Sequence, residues 1–182
     1  MESNSNRIIV AETAAECAAA LKQSGLIDVQ SAAVQEVVYV CIGTDRATGD
    51  CFGLLVGRKL QKAGLEGVYG NLDEPIHAKN IESHLQLIRS KHENPFIVAI
   101  DACLGGTERV GKMLIKRGPI APGLALGASI EPVGDISISG VVNVRNSYAE
   151  VNPWEVLAST RLSLVMKMAE AAAAGILEVC NV

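Results

Sequence analysis

Two short runs of apolar, mostly β-branched residues narrow the folds open to this chain more than any other feature. Val37-Val38-Tyr39-Val40-Cys41-Ile42 and Phe96-Ile97-Val98-Ala99-Ile100 contain no charged or amide residue. A strand with one face in water alternates apolar and polar positions, whereas an unbroken run is buried on both faces. Such strands need helices above and below their sheet, and the flanking sequence supplies them. Phe52, Leu55, Val56 and Leu60 recur at helical spacing, with Gly64 as a stop. Asn80 to Lys91 places Ile81, Leu85 and Ile88 on one helical face. Strands alternating with helices make right-handed β-α-β units and parallel pairing. The expected fold class is α/β, a three-layer α/β/α domain with a mainly parallel sheet.

The remaining elements follow the same logic. Glu12 to Ser24 is an Ala-rich helix ended by Gly25, and Ile27 to Ala33 is open between a helical turn and a loop. Gly67 to Gly70, Met113 to Ile115 and Asp135 to Val144 are further strands, and the strand from Pro95 is expected to end at Asp101. Pro119 to Pro132, rich in Gly, Pro and Ala, is a loop. Pro153 to Leu177 is one long final helix with Pro153 in its first turn. At 182 residues the chain is long enough for one domain with a sizeable core. Residues 1–35 are expected as an N-terminal segment, partly helical, packing on or extending from the core, with 36–182 as the α/β domain proper. Met1 to Asn6 is expected to be disordered.

Charge and cysteine usage exclude several function classes. The net charge is -4 with no long basic run, which argues against nucleic acid as a partner, since that usually needs a clustered Lys/Arg surface. No apolar stretch reaches membrane-spanning length, because Lys167 and Glu170 interrupt the longest, Leu162 to Val179. The N-terminus lacks the pattern of a signal peptide. The five cysteines are odd in number and include no C-x-x-C spacing, so they read as small buried hydrophobes of a reducing compartment. The expected location is the cytoplasm.

In open α/β sheets, sites form beyond the carboxyl ends of strands. Two strands run there into polar segments, one leading to Asp50 and the other to Asp101. Each has a structural reading: Asp50 as the N-cap of the following helix, and Asp101 as a loop carboxylate held by backbone donors. As a pair they could share a proton, because like charges at short range do not both ionise cheaply. One would then activate water while the other donates to a carbonyl. Thr44, Asp45, Arg46, His77 and Cys103 are candidate substrate-binding residues around them. Cys51 adjoins Asp50 and could line the same cleft. His84 and His92 read as surface residues. The Gly43 loop lacks the Lys-Ser/Thr pair of a P-loop and the G-x-G-x-x-G of a dinucleotide site, so no cofactor is expected. No metal set is assigned.

Several segments together carry a family resemblance. They are Gly43 through Val56, Leu72-Asp73-Glu74-Pro75-Ile76-His77-Ala78, Pro95 through Leu104, Pro132 to Asp135 with Gly140 to Val144, and Thr160 to Ala169. On these the chain resembles the YyaC sporulation proteins, from about Val37 to Ala169. More distantly it resembles the spore germination protease, through Thr48-Gly49-Asp50-Cys51-Phe52-Gly53, Ile100-Asp101-Ala102, Glu108-Arg109-Val110 and Gly118 to Gly123. Cys51 stands where that pattern has Ser or Ala, and Leu54 where it has Pro. The hydrogenase maturation endopeptidases share this fold family and recognise nickel with an acidic pair and a histidine.

The resemblance implies a peptidase-like domain in which Asp50 and Asp101 match the two catalytic aspartates. It implies an aspartate-dependent endopeptidase acting in sporulation or germination, in the mother cell or forespore of a spore-forming bacterium. The implied partners are protein or peptide substrates such as small acid-soluble spore proteins, and further copies of the chain in a homo-oligomer. The alternatives are a catalytically inactive binding protein on the same scaffold and a metal-dependent hydrolase.

Overall fold

The computed structural model describes residues 7–26, 35–123, 131–145 and 151–181. The expectations for Met1 to Asn6 and Ile27 to Ala33 lie outside the described residues. A six-stranded sheet forms the middle layer, in the order β1-β5-β6-β4-β2-β3. Its strands are β1 (Ile9–Ala11), β2 (Val37–Cys41), β3 (Val68–Tyr69), β4 (Phe96–Gly105), β5 (Met113–Arg117) and β6 (Ile136–Val144). β3, β2, β4 and β6 pair in parallel, and β5 runs antiparallel to both β6 and β1.

Side-chain alternation splits the two unbroken strands between two cores. Val98 and Ile100 of β4 join the larger core, with α1 (Ala14–Gln23), α2 (Phe52–Lys62) and α5 (Leu162–Cys180). Ile97 and Ala99 face the other way, with Val38 and Val40, against Ile81, Leu85 and Ile88 of α3 (Ile81–Lys91). The three-layer α/β/α arrangement therefore arises from the unbroken strands, as expected. α1 starts on a reciprocal cap: the Glu16 backbone N–H donates to Thr13 Oγ1, and the Thr13 backbone N–H to Glu16 Oε2.

Three elements depart from the sequence reading. β1 had no counterpart in it; three residues pair with the distant β5, a register that local sequence does not carry. β4 does not stop at Asp101 but continues to Gly105, because β6 pairs with it as far as Val144. The single final helix is two, α4 (Pro153–Ala158) and α5. The break has a side-chain cause. Thr160 Oγ1 donates to Val156 O at 3.0 Å and accepts from Asn143 Nδ2 at 3.1 Å. Threonine thereby competes with the backbone ladder and ends the turn.

Candidate active site

β2 ends where its neighbour goes on. Its last ladder bond runs from Ile42 N to Ile100 O at 2.7 Å, after which the chain turns into the Thr44 loop. A 3-10 turn, Thr48–Cys51, then brings Asp50 back beside the strand end. Gly49 docks this turn on the α4–α5 junction; a Cβ there would lie 2.9 Å from Thr160 Oγ1 and 3.0 Å from Leu157 O. The break in the final helix thus fixes the position of Asp50. Thr160 is 6% exposed, so Thr160→Val leaves the Asn143 amide short of an acceptor in a buried setting. Urea unfolding is expected to show a loss of about 1–3 kcal/mol; an unchanged midpoint would mean those bonds do not hold the junction.

Asp50 is not the helix N-cap of the structural reading. The cap position of α2 belongs to Cys51, with no side-chain bond, and Asp50 Oδ2 instead accepts the Thr44 backbone N–H at 2.8 Å. Asp101 is likewise not a loop residue. It lies within β4, on the face of Ile97 and Ala99, and its Oδ1 accepts the Ala102 backbone N–H at 2.8 Å. Burial pushes the Asp50 carboxyl up, against the Thr44 N–H bond and positive charge on His77, which lower it. Asp101 keeps some surface toward a cavity but is crowded by protein. Burial first, and then the charge of Asp50, raise it well above the ordinary carboxylate value; the Ala102 N–H opposes this. The charge of Asp50 thus acts on Asp101, and like charges at short range do not both ionise cheaply.

Asp50 and Asp101 both line two cavities, as does Gly123. One, of about 560 Å³, is bounded by the Thr44, Asp45 and Arg46 loop and by His77, Lys79 and Trp154. The other, of about 830 Å³, runs past Cys103 and carries Ser139, Lys116, Arg109 and Arg145 on its lining. Thr44, Asp45, Arg46, His77 and Cys103 therefore each line a cavity that Asp50 and Asp101 also line. His77 arrives through a bridge between Ile76 and Ile42 that extends the sheet past β2. Cys103 follows Asp101 on the same face, its thiol pushed up to about 11 chiefly by burial, so it is a weak nucleophile.

Two expectations are corrected. Cys51 does not line either cavity; it is buried, its Sγ 3.6 Å from both Thr44 O and Ala47 O, where it supports the loop from behind. His92 is not a surface residue. It bridges Tyr69 Oη and Glu36 Oε2, each at 2.6 Å, at the opposite end of the strands. Ser139, Lys116 and Arg145 were missed. They come from β6, β5 and the end of β6, and only the sheet order places them beside Asp101. The alternation of β5, with Met113 and Ile115 buried and Leu114 and Lys116 partly exposed, was the available signal.

A family model covering residues 10–175 matches this chain, described as "Protein of unknown function (DUF1256)". The chain belongs to the DUF1256 family. Its match begins before β2, in β1, and so takes in part of the N-terminal segment. A relative described as "Uncharacterized protein YyaC", from Bacillus subtilis (strain 168), is 44% identical over 164 residues, covering 87% of this chain and 78% of that protein. Among solved structures, the [NiFe] hydrogenase maturation protease HycI from Thermococcus kodakarensis KOD1 shares the fold. Its TM-score is 0.57 at 23% identity, over 87% of this chain and 100% of that one. The DUF1256 chain thus has the fold of that protein. Tested as a nickel set, Asp50, Asp101 and His77 do not fit: no cluster of three His, Cys, Asp or Glu side chains suited to a metal ion occurs among the described residues. No helix among the described residues is long and apolar enough to cross a membrane.

Proposed function

We propose that the chain is an aspartate-dependent endopeptidase. The observation that carries this reading is that Asp50 and Asp101 line the same two cavities, with the charge of one raising the carboxyl of the other. A site reached from two cavities suits a polypeptide that continues in both directions. The scaffold shared with HycI supports the same chemistry.

The unequal surroundings divide the roles. Asp50, held by the Thr44 N–H and facing His77, carries the negative charge; Asp101, more strongly raised, carries the proton. Asp50 takes a proton from water as the water oxygen attacks the peptide carbonyl carbon. Asp101 gives its proton to the carbonyl oxygen. In the collapse the C–N bond breaks, Asp50 delivers its proton to the leaving nitrogen, and the hydroxyl returns a proton to Asp101. Atoms and charges balance, and the dyad is restored.

The substrate class is protein or peptide. The resemblance of its motifs to sporulation and germination proteins makes small acid-soluble spore proteins the first to try, with the cytoplasm of the mother cell or forespore as the setting. The same resemblance is the ground for expecting a homo-oligomer. Incubation with those spore proteins, followed by mass mapping, is expected to show discrete internal cuts that vanish in Asp50→Asn. Intact substrate after prolonged incubation, or equal cutting by that variant, would contradict the reading.

A further inference from the structure

We infer that Ser139 and Leu114 shape a side-chain pocket beside the dyad, and that this pocket selects a long apolar residue next to the cut bond. The inference deepens the peptidase reading and rests on it for the chemistry, while the pocket rests on separate observations. Sheet register lays its floor. Asp101 of β4 pairs with Ser139 of β6, Ser139 with Leu114 of β5, and Leu114 with Val10 of β1. The four lie on one line across the sheet. Their neighbours along the strands, Ile100, Ile138, Ile115 and Ile9, belong to the larger core or pack on it. Strand alternation therefore turns Asp101, Ser139, Leu114 and Val10 to the opposite face.

The smaller core covers only part of that face. It takes residues of β2 and β4, with α3, and none of β1, β5 or β6. Past β4 the larger cavity lies on the face instead, for Asp101, Ser139 and Leu114 all line it. Ile8, Pro119, Ile120, Ala121 and Pro132 give it apolar walls. Ile8, just ahead of β1, is left 49% exposed. Ile120 is fixed by a reciprocal pair of bonds: its N–H donates to Val133 O at 2.9 Å, and Val133 N–H donates to Ile120 O at 2.8 Å. That wall is built before any substrate arrives.

The charged residues of the lining sit off this line. Lys116 pairs with Ser137, level with Ala99, and so lies two residues, about 7 Å, along β5 from Leu114. Toward the other end, Arg145 N–H donates to Gly105 O at 2.7 Å, and Glu108 pairs with Arg109 at 3.5 Å. Level with Asp101 there is a small hydroxyl side chain and then hydrocarbon. Strands lie about 5 Å apart, so the backbones of Asp101 and Leu114 are about 10 Å apart. A substrate residue whose carbonyl meets Asp101 can lay its side chain over the short Ser139. Leu, Met or Phe spans that step and buries its end against Leu114; alanine stops short and leaves the walls in water. One methylene in an apolar pocket changes the specificity ratio by about tenfold or more, so Leu over Ala should reach at least that.

The test has two arms. In the first, the full-length wild type is given peptides released from a bacterial proteome by a lysine-specific protease, and the cuts are mapped by mass. At one fixed position beside the cut, Leu, Met and Phe are expected to exceed Ala at least about tenfold. In the second, the full-length Asp50→Asn protein is probed with an array of random twelve-residue peptides, and bound peptides should be enriched in the same three residues. Ser139→Leu fills the step and should move both preferences toward Ala. Leu114→Ser should lower the preference for long side chains without that move. No enrichment in either arm, or enrichment that Ser139→Leu leaves unchanged, overturns the inference. Enrichment and its shift in the binding arm, with no cleavage by wild type, upholds the pocket and sinks the peptidase reading. Cleavage without a preferred long apolar residue does the reverse.

Discussion

Asp101→Asn is expected to abolish peptide cleavage while making the protein more stable at neutral pH. Asparagine copies the shape of a protonated carboxyl and keeps an oxygen for the Ala102 N–H, but it has no proton to pass to a carbonyl. Loss of a general acid costs about 10²–10⁴-fold in rate. The stability change follows from the direction in which burial moves the group. The folded protein holds Asp101 well above its ordinary value of 3.8, so folding favours the protonated form. The contribution of this group is complete below the unfolded pKa and is lost as pH rises through the folded one. Asp50 is raised too and adds in the same direction. A tenfold difference in proton affinity between the folded and unfolded chain corresponds to about 1.4 kcal/mol, reduced by solvent on the cavity side. Melting temperature followed from acid to neutral pH should therefore fall less in the variant than in wild type. A variant that cuts normally, or that is less stable than wild type at neutral pH, would contradict both roles given to Asp101.

Gly53→Ala is expected to be among the most damaging single-methyl additions in the molecule. The residue opens α2, where alanine's helix propensity alone favours the change by about 1 kcal/mol. Geometry opposes it more strongly. A Cβ at this position overlaps the carbonyl oxygen of Ile42 and lies 2.8 Å from both Ile100 O and Ile42 N. These are backbone atoms of two paired strands, and no flexible side chain is available to yield. The strain is expected to exceed the propensity gain and leave a net loss of about 3 kcal/mol or more. In a chain of this size that lowers the melting temperature by about 6–12 °C. The displaced atoms are those from which Asp50 and Asp101 are hung, so cleavage should fall in the surviving folded fraction. Calorimetry with an activity assay on folded protein checks both. A stabilised variant would show that α2 does not press on the ends of β2 and β4.

The layers were legible in the sequence because β2 and the first half of β4 are uniformly apolar, a property that local residues carry alone. The features that failed all depend on distant partners. Asp101 reads as the close of its strand because Ile100 ends the apolar run, yet β6 carries the ladder on to Gly105. The helix break at Thr160 needs Asn143, which lies in another element. That Asp50 and Asp101 face common cavities was legible from the two polar segments at the strand ends and from the family resemblance. Their basic surroundings were not, because Lys116 and Arg145 reach Asp101 only through the sheet order. Cys51 and Cys103 read alike as neighbours of the aspartates; direction separates them, one turned into the core behind Thr44 and the other along the cavity. His92 reads as exposed because Tyr69 and Glu36 come from other parts of the chain.

The most direct test of the proton-sharing pair is a carbon-13 carboxyl NMR titration of wild type and Asp50→Asn. Asp101 should hold its proton well past the usual carboxylate range in wild type. In the variant its midpoint should drop, since a neighbouring negative charge is gone, yet remain elevated by burial. An Asp101 signal that titrates like a free side chain, or that ignores the change at Asp50, would show two carboxylates acting separately.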